Sequence, residues 1–266
     1  MQNPSVSREW NAADYHRISQ PQVSWGKKVL ARLRLRGDEA ILDAGCGSGR
    51  LTAELLEVLP RGHVVGIDLS CNMINAASAH LRPRFDAQVE FVACDLAHLP
   101  FKNVFDGIVS TAAFHWVLDH DRLFKNLRQA LRPGGWLEAQ CGGAGNLARL
   151  RERMKRLAGL PKYLPFLTDY PEPWLYQDAE NAAVALRRAG FLQIHTSLEP
   201  ALTVFEGREP YIEFVKTAVV RTYLERLPEL ELQAQYLSDL ADQAAGDDPP
   251  FALDYWRLNL SAKAPD

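Results

Sequence analysis

The segment Asp43-Ala44-Gly45-Cys46-Gly47-Ser48-Gly49 constrains the fold more than any other part of the 266-residue chain. It follows the apolar run Ala40-Ile41-Leu42 and precedes Leu51, Leu55, Leu56 and Leu59, which recur at helical spacing. A strand that turns this tightly into a helix needs residues that tolerate positive φ and let a ligand approach the backbone. The helix then offers free N–H groups and the positive end of its dipole, which suits a carboxylate or phosphate. The spacing is GxGxG, not the GxGxxG of the dinucleotide fingerprint. Alone, such a loop is also compatible with a purely structural turn.

Strand–helix alternation continues along the chain. Val64-Val65-Gly66-Ile67 reads as a second strand ending at Asp68, and Ser70 as the N-cap of a helix carrying Met73, Ile74, Ala77 and Leu81. Val89-Glu90-Phe91-Val92 ends near Asp95, and Phe105-Asp106-Gly107-Ile108-Val109 leads into residues 110–116. A helix with Leu123, Phe124, Leu127 and Leu131 stops at Pro133-Gly134-Gly135, before a fifth strand at Trp136-Leu137-Glu138-Ala139. Near-continuous apolar strands alternating with helices imply a parallel sheet covered on both faces. In such sheets ligands bind beyond the carboxyl ends of the strands, so the glycine loop, Asp68, Asp95 and residues 110–116 are expected to share one crevice. Asp68 lies 19 residues after Gly49, where a carboxylate accepts from ribose hydroxyls; the alternative is a helix-capping Asp. Asp95 fits an adenine amino group, with the Leu96 N–H donating to a ring nitrogen, or else is a loop carboxylate.

Taken in order, ILDAGCGSG, GIDLS, CDL and LRPGGWL resemble the successive motifs of class I S-adenosylmethionine-dependent methyltransferases over residues 38–140. The resemblance implies a Rossmann-like α/β fold: a seven-stranded, mostly parallel sheet with helices on both faces and an antiparallel last strand, for which residues 253–260 are the candidate. It implies that Asp43 and the backbone of Gly45, Cys46, Gly47 and Gly49 hold the amino-acid part of S-adenosylmethionine. It also implies that Asp68 holds the ribose, that Leu69 and Met73 pack on adenine, that Asp95 and Leu96 read its edge, and that Thr111 joins the cofactor site. Tyr15 to Gln20, followed by Trp25-Gly26, is similar to the N-terminal cover segment of the trans-aconitate and malonyl-carrier-protein methyltransferase group. Phe114-His115-Trp116 is similar to that group and to juvenile hormone acid methyltransferases. These relatives methylate carboxylates. The implied activity is methyl transfer to a small molecule, foremost O-methylation of a carboxylic acid. N-, C- or hydroxyl-directed transfer and a non-catalytic cofactor-binding accessory role are the alternatives, and a nicotinamide oxidoreductase is disfavoured by the glycine spacing.

On the acceptor side, His115 suits a base for a hydroxyl or a donor that orients a carboxylate, unless it only supports its loop. Trp116 reads as a pocket wall. Tyr170 and Trp174 belong to an aromatic-rich stretch (with Tyr163, Phe166 and Tyr176) that either lines an apolar acceptor pocket or packs a cap. Tyr15, Gln20 and Trp25 either close over the cofactor or form an ordinary packed helix. Arg149, Arg153 and Arg156 fall on one helix face, which either recognises a polyacid substrate or, the favoured reading, is solvated. Within a single domain, residues 1–37 are expected to form the cover segment and 38–142 the cofactor-binding core, with 143–176 and 206–249 inserted as helical caps.

A net charge of −3 gives no electrostatic case for nucleic acid or an anionic membrane. Four dispersed cysteines without a CxxC pair argue against structural zinc, and Asp119, beside His120, is better explained as a helix N-cap than as a metal ligand. With no signal-peptide core at residues 1–10 and no spanning apolar run, the expectation is a cytoplasmic monomer or homodimer without bound metal.

Overall fold

The computed structural model describes residues 9–12, 17–18 and 20–266; Tyr15 lies outside them. Helix α1 (Gln20–Leu30) leads into β1 (Ala40–Ala44), α2 (Arg50–Glu57), β2 (His63–Asp68), α3 (Cys71–Phe85) and β3 (Val89–Ala93). Next come β4 (Phe105–Thr111), α4 (His120–Ala130) and β5 (Leu131–Gly142), then α5 (Ala148–Ala158), α6 (Leu164–Leu167), α7 (Ala179–Arg188) and β6 (Leu192–Pro200). The chain finishes with β7 (Thr203–Val204), α8 (Arg208–Ala218), α9 (Arg221–Leu224), α10 (Leu230–Ala244), β8 (Ala252–Leu253) and β9 (Trp256–Lys263).

Seven strands form one sheet in the order β3-β2-β1-β4-β5-β9-β6. The strands β1 to β5 pair in parallel, and β9 runs antiparallel to both β5 and β6. Alternate side chains enter opposite cores, as the period of two requires. Ile41, Val64 and Val109 pack with Val29, Leu55 and Ile74 from α1, α2 and α3. Leu42, Val65 and Ile108 pack with Leu123 and Leu127 from α4 and Leu186 from α7. Each fully buried leucine contributes about 1.5–3 kcal/mol, so this alternation makes the register of β1 unambiguous. Strand order reverses between β1 and β4, which opens the crevice at their carboxyl ends.

The predicted caps hold where they can be read: Ser70 Oγ accepts from Met73 N at 3.3 Å, and Asp119 accepts from Arg122 N at 2.9 Å. The final strand begins at Trp256 rather than residue 253, because Ala252–Leu253 pairs instead with Thr203–Val204 as a separate ribbon. Strand β5 is longer than expected, since Leu131 already pairs with Phe105 across a register shift. The basic face of α5 differs from its sequence reading at one position: Arg149 and Arg156 are exposed as expected, but Arg153 is buried and ion-paired with Asp247. A third apolar cluster joins α5, α8, α9 and α10 with Trp25 and Tyr255 beside the strand ends. Among the described residues no helix is long and apolar enough to cross a membrane.

Candidate active site

The glycine loop is fastened from below. The N–H groups of Gly45 and Cys46 both donate to Ile67 O at 2.8 Å, and Gly47 N donates to Asp68 Oδ2 at 3.0 Å. Gly45 has φ +86, and a Cβ there would lie 2.3 Å from the Cβ of Ala113. Gly47 has φ +53, and a Cβ there would meet nothing within 4 Å. One glycine is therefore required by the fold and the other borders open space.

That space is a crevice of about 490 Å³, within the usual range for a small-molecule site. Gly45, Gly47 and Asp68 form one end of its wall, and Leu69 and Met73 supply an apolar side. Asp95 and Leu96 follow from the end of β3, and Thr111 and Trp116 from the end of β4. Asp68 Oδ1 accepts from Ser70 N at 2.9 Å, so both its oxygens hold backbone N–H groups. Burial raises its carboxyl from the ordinary value against these bonds. Asp95 accepts from Ala97 N at 2.9 Å, which turns the chain back at Leu96. The chain before α1 reaches the same place. The Glu9 carboxylate accepts from Ser70 Oγ and from the Cys71 and Asn72 N–H groups at 2.9–3.1 Å, and Trp10 borders the crevice.

Three of the sequence-nominated residues lie behind this wall. Asp43 is buried and accepts from Thr52 Oγ1 at 2.6 Å; burial and the nearby Asp68 charge push its carboxyl up to about 7. The Cys46 side chain belongs to the core, and burial pushes its thiol up. Gly49 caps α2 in the left-handed region against Ala77 and Leu81. Gln20 begins α1. Tyr170 borders a different surface cavity, with Arg151 and Tyr223.

The remaining nominated residues meet in a second, smaller chamber. Trp10, Ala112 and Trp116 line both spaces and so form the partition between them. Trp25, His115 and Trp174 line the chamber together with Gln22, Asn146, Tyr176 and Arg257. Its rings interlock: Trp116 and Trp174 are edge-on at 5.7 Å, and Trp174 stacks on Tyr176 at 5.7 Å. His115 Nδ1 lies 3.3 Å from Gly142 N. A backbone N–H only donates, so Nδ1 accepts, and the neutral ring carries its proton on Nε2. Burial, then the charge of Arg257, holds the imidazole pKa well below its ordinary value. At neutral pH His115 is therefore a hydrogen-bond donor through Nε2.

Sequence reasoning did not nominate Trp10, Gln22, Asn146 or Arg257, whereas Tyr176 belongs to the aromatic stretch it offered as pocket or cap. The guanidinium of Arg257 sits 4.1 Å over the Trp25 ring, and its Nε donates to Gln140 Oε1 at 3.5 Å. Among the described residues no cluster of three or more His, Cys, Asp or Glu side chains is arranged to hold a metal ion.

The methyltransferase domain family matches residues 41–135. A trans-aconitate 2-methyltransferase of Azoarcus sp. (strain BH72) is 31% identical over 91% of this chain and 90% of its own. A juvenile hormone acid O-methyltransferase of Drosophila melanogaster is 30% identical over 87% of this chain and 81% of its own. Among solved structures, the Haemonchus contortus phosphoethanolamine N-methyltransferase 2 bound to S-adenosylhomocysteine superposes with a TM-score of 0.63 at 20% identity, covering 96% of this chain. The chain spans 57% of that longer protein, and the likeness concerns the fold. With the sheet order, the crevice and these relatives in place, the chain belongs to the class I S-adenosylmethionine-dependent methyltransferases. It is an enzyme whose methyl donor is S-adenosylmethionine.

Proposed function

We propose that this methyltransferase esterifies the carboxylate of a small organic acid, with the donor in the large crevice and the acceptor group in the adjoining chamber. The observation that carries the reading is the shared partition. Trp10, Ala112 and Trp116 border both spaces, so an acceptor held in the chamber lies next to the crevice at the end of β4.

The crevice suits the donor chemically. Asp43 is buried and Asp68 half-buried, and burial disfavours the ionisation of both; a cationic amino-acid moiety beside them offsets that cost. Gly47 leaves room for close backbone approach. Asp68 and Asp95 accept from ribose and adenine donors respectively, while Leu69 and Met73 cover the base. Gln20 and Trp25 belong to the segment over the site, and residues 143–176 and 206–249 act as its cap.

S-adenosylmethionine supplies an electrophilic methyl group whose leaving sulfur needs no protonation. The protein's part is alignment and exclusion of water, and alignment of two bound reactants contributes about 7–11 kcal/mol. A carboxylate oxygen forms the new C–O bond while the S–CH3 bond breaks, its electron pair staying on sulfur; no proton moves. A carboxylate is ionised above pH ~4, so no base is required. This agrees with a His115 that donates rather than accepts on its chamber side. The names of the similar trans-aconitate and juvenile hormone acid enzymes support an acid acceptor.

The test is a transfer screen with labelled donor over carboxylic acids, phenols, amines and thiols. Base-labile esters are expected as products; N-methyl products alone would remove the proposal.

A further inference from the structure

The chamber behind Trp116 is small. Its free volume is about 40 Å³, and at roughly 10–15 Å³ per water-sized occupant that is room for about three heavy atoms. A carboxyl head fits there and the body of an acid does not. A third cavity, of about 680 Å³, opens in the cap between α5, α6 and residues 168–172. It adjoins the donor crevice, because Glu172 borders both spaces. It also backs onto the aromatic wall of the chamber: Tyr223 lies 6.3 Å from Trp174, and the Arg151 guanidinium 5.5 Å over the Tyr176 ring. The floor of this cavity is apolar. Met154, Leu167 and Tyr223 are buried there, and Leu164 and Tyr170 extend the same wall. Glu152, Lys155 and Asp169 stay at its exposed rim. The two charges on the sill toward the crevice are paired with each other. Arg151 Nε donates to Glu172 Oε1 at 2.9 Å, and Nη2 to Oε2 at 2.5 Å. Apolar surface open to water is unfavourable, and an occupant that covers it gains that free energy.

We infer that this cavity is the subsite for an apolar body of the methyl acceptor. The inference rests on the carboxylic-acid reading above and deepens it: the acceptor is an amphipathic monocarboxylic acid, not a compact polyacid. With its head group at the partition, the acid runs past Pro171 and Pro173, over Glu172, and lays its chain on Met154, Leu167 and Tyr170. The sill does not oppose this path. Its carboxylate is neutralised by Arg151, and a guanidinium engaged by both forks of one carboxylate is not free to capture another. Tyr170, which the sequence places in the acceptor pocket, then touches the far part of the acceptor, not its reacting group.

The experiment follows two homologous series, straight-chain acids from acetate to decanoate and the matching primary amines, in transfer from labelled donor by the full chain. For the native protein, kcat/KM of the acids should climb about fourfold with each added methylene until the cavity is full, mainly through a falling KM. That is the gain for a CH2 moved from water into an apolar space. A dicarboxylate with its second charge at the far end of the same chain should react at least about tenfold less well, because that charge would have to leave water. Leu164→Asp changes an exposed residue of the cavity wall, and Ala158→Phe places a ring inside it. Each should flatten the climb, while calorimetric affinity for S-adenosylhomocysteine stays within about twofold. Acids that are methylated at rates independent of chain length overturn the inference without requiring any variant to fold, and leave the esterification proposal standing. So does a climb that both variants retain. If only the amines are methylated, the esterification proposal fails, and the chain-length dependence of the amines decides the subsite by the same criterion.

Discussion

Gly47 and Asp68 are joined by a 3.0 Å hydrogen bond from backbone to carboxylate, which ties the loop after β1 to the end of β2. The same carboxylate takes the Ser70 N–H with its other oxygen, while Ser70 caps α3. One side chain thus sets the mutual position of three elements that border the crevice.

Substitution at Asp68 should therefore separate charge from scaffolding. Asp68→Ala leaves two N–H groups without acceptors, a loss of about 1–3 kcal/mol each where they are shielded from water. It should weaken donor binding by about 100-fold and lower the melting temperature by several degrees. Asp68→Asn keeps one acceptor oxygen and turns a donor toward the other N–H, so it should bind poorly and melt between the native protein and Asp68→Ala. Calorimetric titration with S-adenosylhomocysteine beside a thermal melt decides the matter; native-like affinity in Asp68→Ala would dissociate this carboxylate from the cofactor.

Asp43 gives the site a defined pH response. Its carboxyl stands at about 7 in the fold, against an ordinary value near 4 in the unfolded chain. Between those values the folded state binds more protons, so this group's contribution to stability is complete below about pH 4 and is lost as pH rises to about 7. Asp43→Asn should melt with the native protein near pH 4–5 and above it at pH 8. Donor binding has the opposite slope. A cationic ligand favours the ionised form, so affinity should rise toward pH 7 by up to about tenfold per unit, with proton release that Asp43→Asn abolishes. Equal melting of the two proteins at every pH would show that the carboxylate is ordinary.

The two loop glycines should fail for different reasons. Gly45→Ala combines a left-handed backbone with a Cβ 2.3 Å from Ala113, so a loss of about 2–5 kcal/mol is expected, seen in chemical denaturation. Gly47→Ala meets no atom within 4 Å and should cost only about 1–2 kcal/mol of backbone strain. Its new methyl group occupies the ligand's approach, however, so donor binding should fall at least as far as in Gly45→Ala. A Gly47→Ala protein with unchanged donor affinity would place the cofactor elsewhere.

The crevice is legible in the sequence and the chamber only in its aromatic wall and His115, for a physical reason. Gly47, Asp68 and Asp95 each interrupt an apolar strand in a parallel sheet, and strand ends in such a sheet converge whatever the loop lengths. The chamber instead draws Gln22 from α1, Asn146 from the turn after β5, and Arg257 from β9. In an alternating strand, Arg257 and Asn259 read as the solvent side. Here β9 is an interior strand between β5 and β6, and Trp25 of α1 covers the face that carries Arg257, so those polar residues meet Gln140 instead of water. That packing is tertiary, and the local pattern does not encode it. Arg153 departs from the solvated reading for a similar reason, because its partner Asp247 lies 94 residues away.

The sequence leaves His115 open between base, donor and loop support, and the geometry makes base and donor separable by experiment. With Nδ1 occupied by the Gly142 N–H and a pKa well below its ordinary value, the ring stays neutral through the physiological range. It has a proton to give the acceptor but no lone pair on that side with which to remove one. At saturating donor, kcat/KM should therefore be flat from about pH 6 to 9, and His115→Gln should lower it by only about tenfold, the scale of one hydrogen bond. A proton-abstracting base contributes about 10²–10⁴-fold. A loss of that size in His115→Gln, together with disappearance of an acid limb from the native profile, would mean that the acceptor is a hydroxyl or amine whose proton this ring takes.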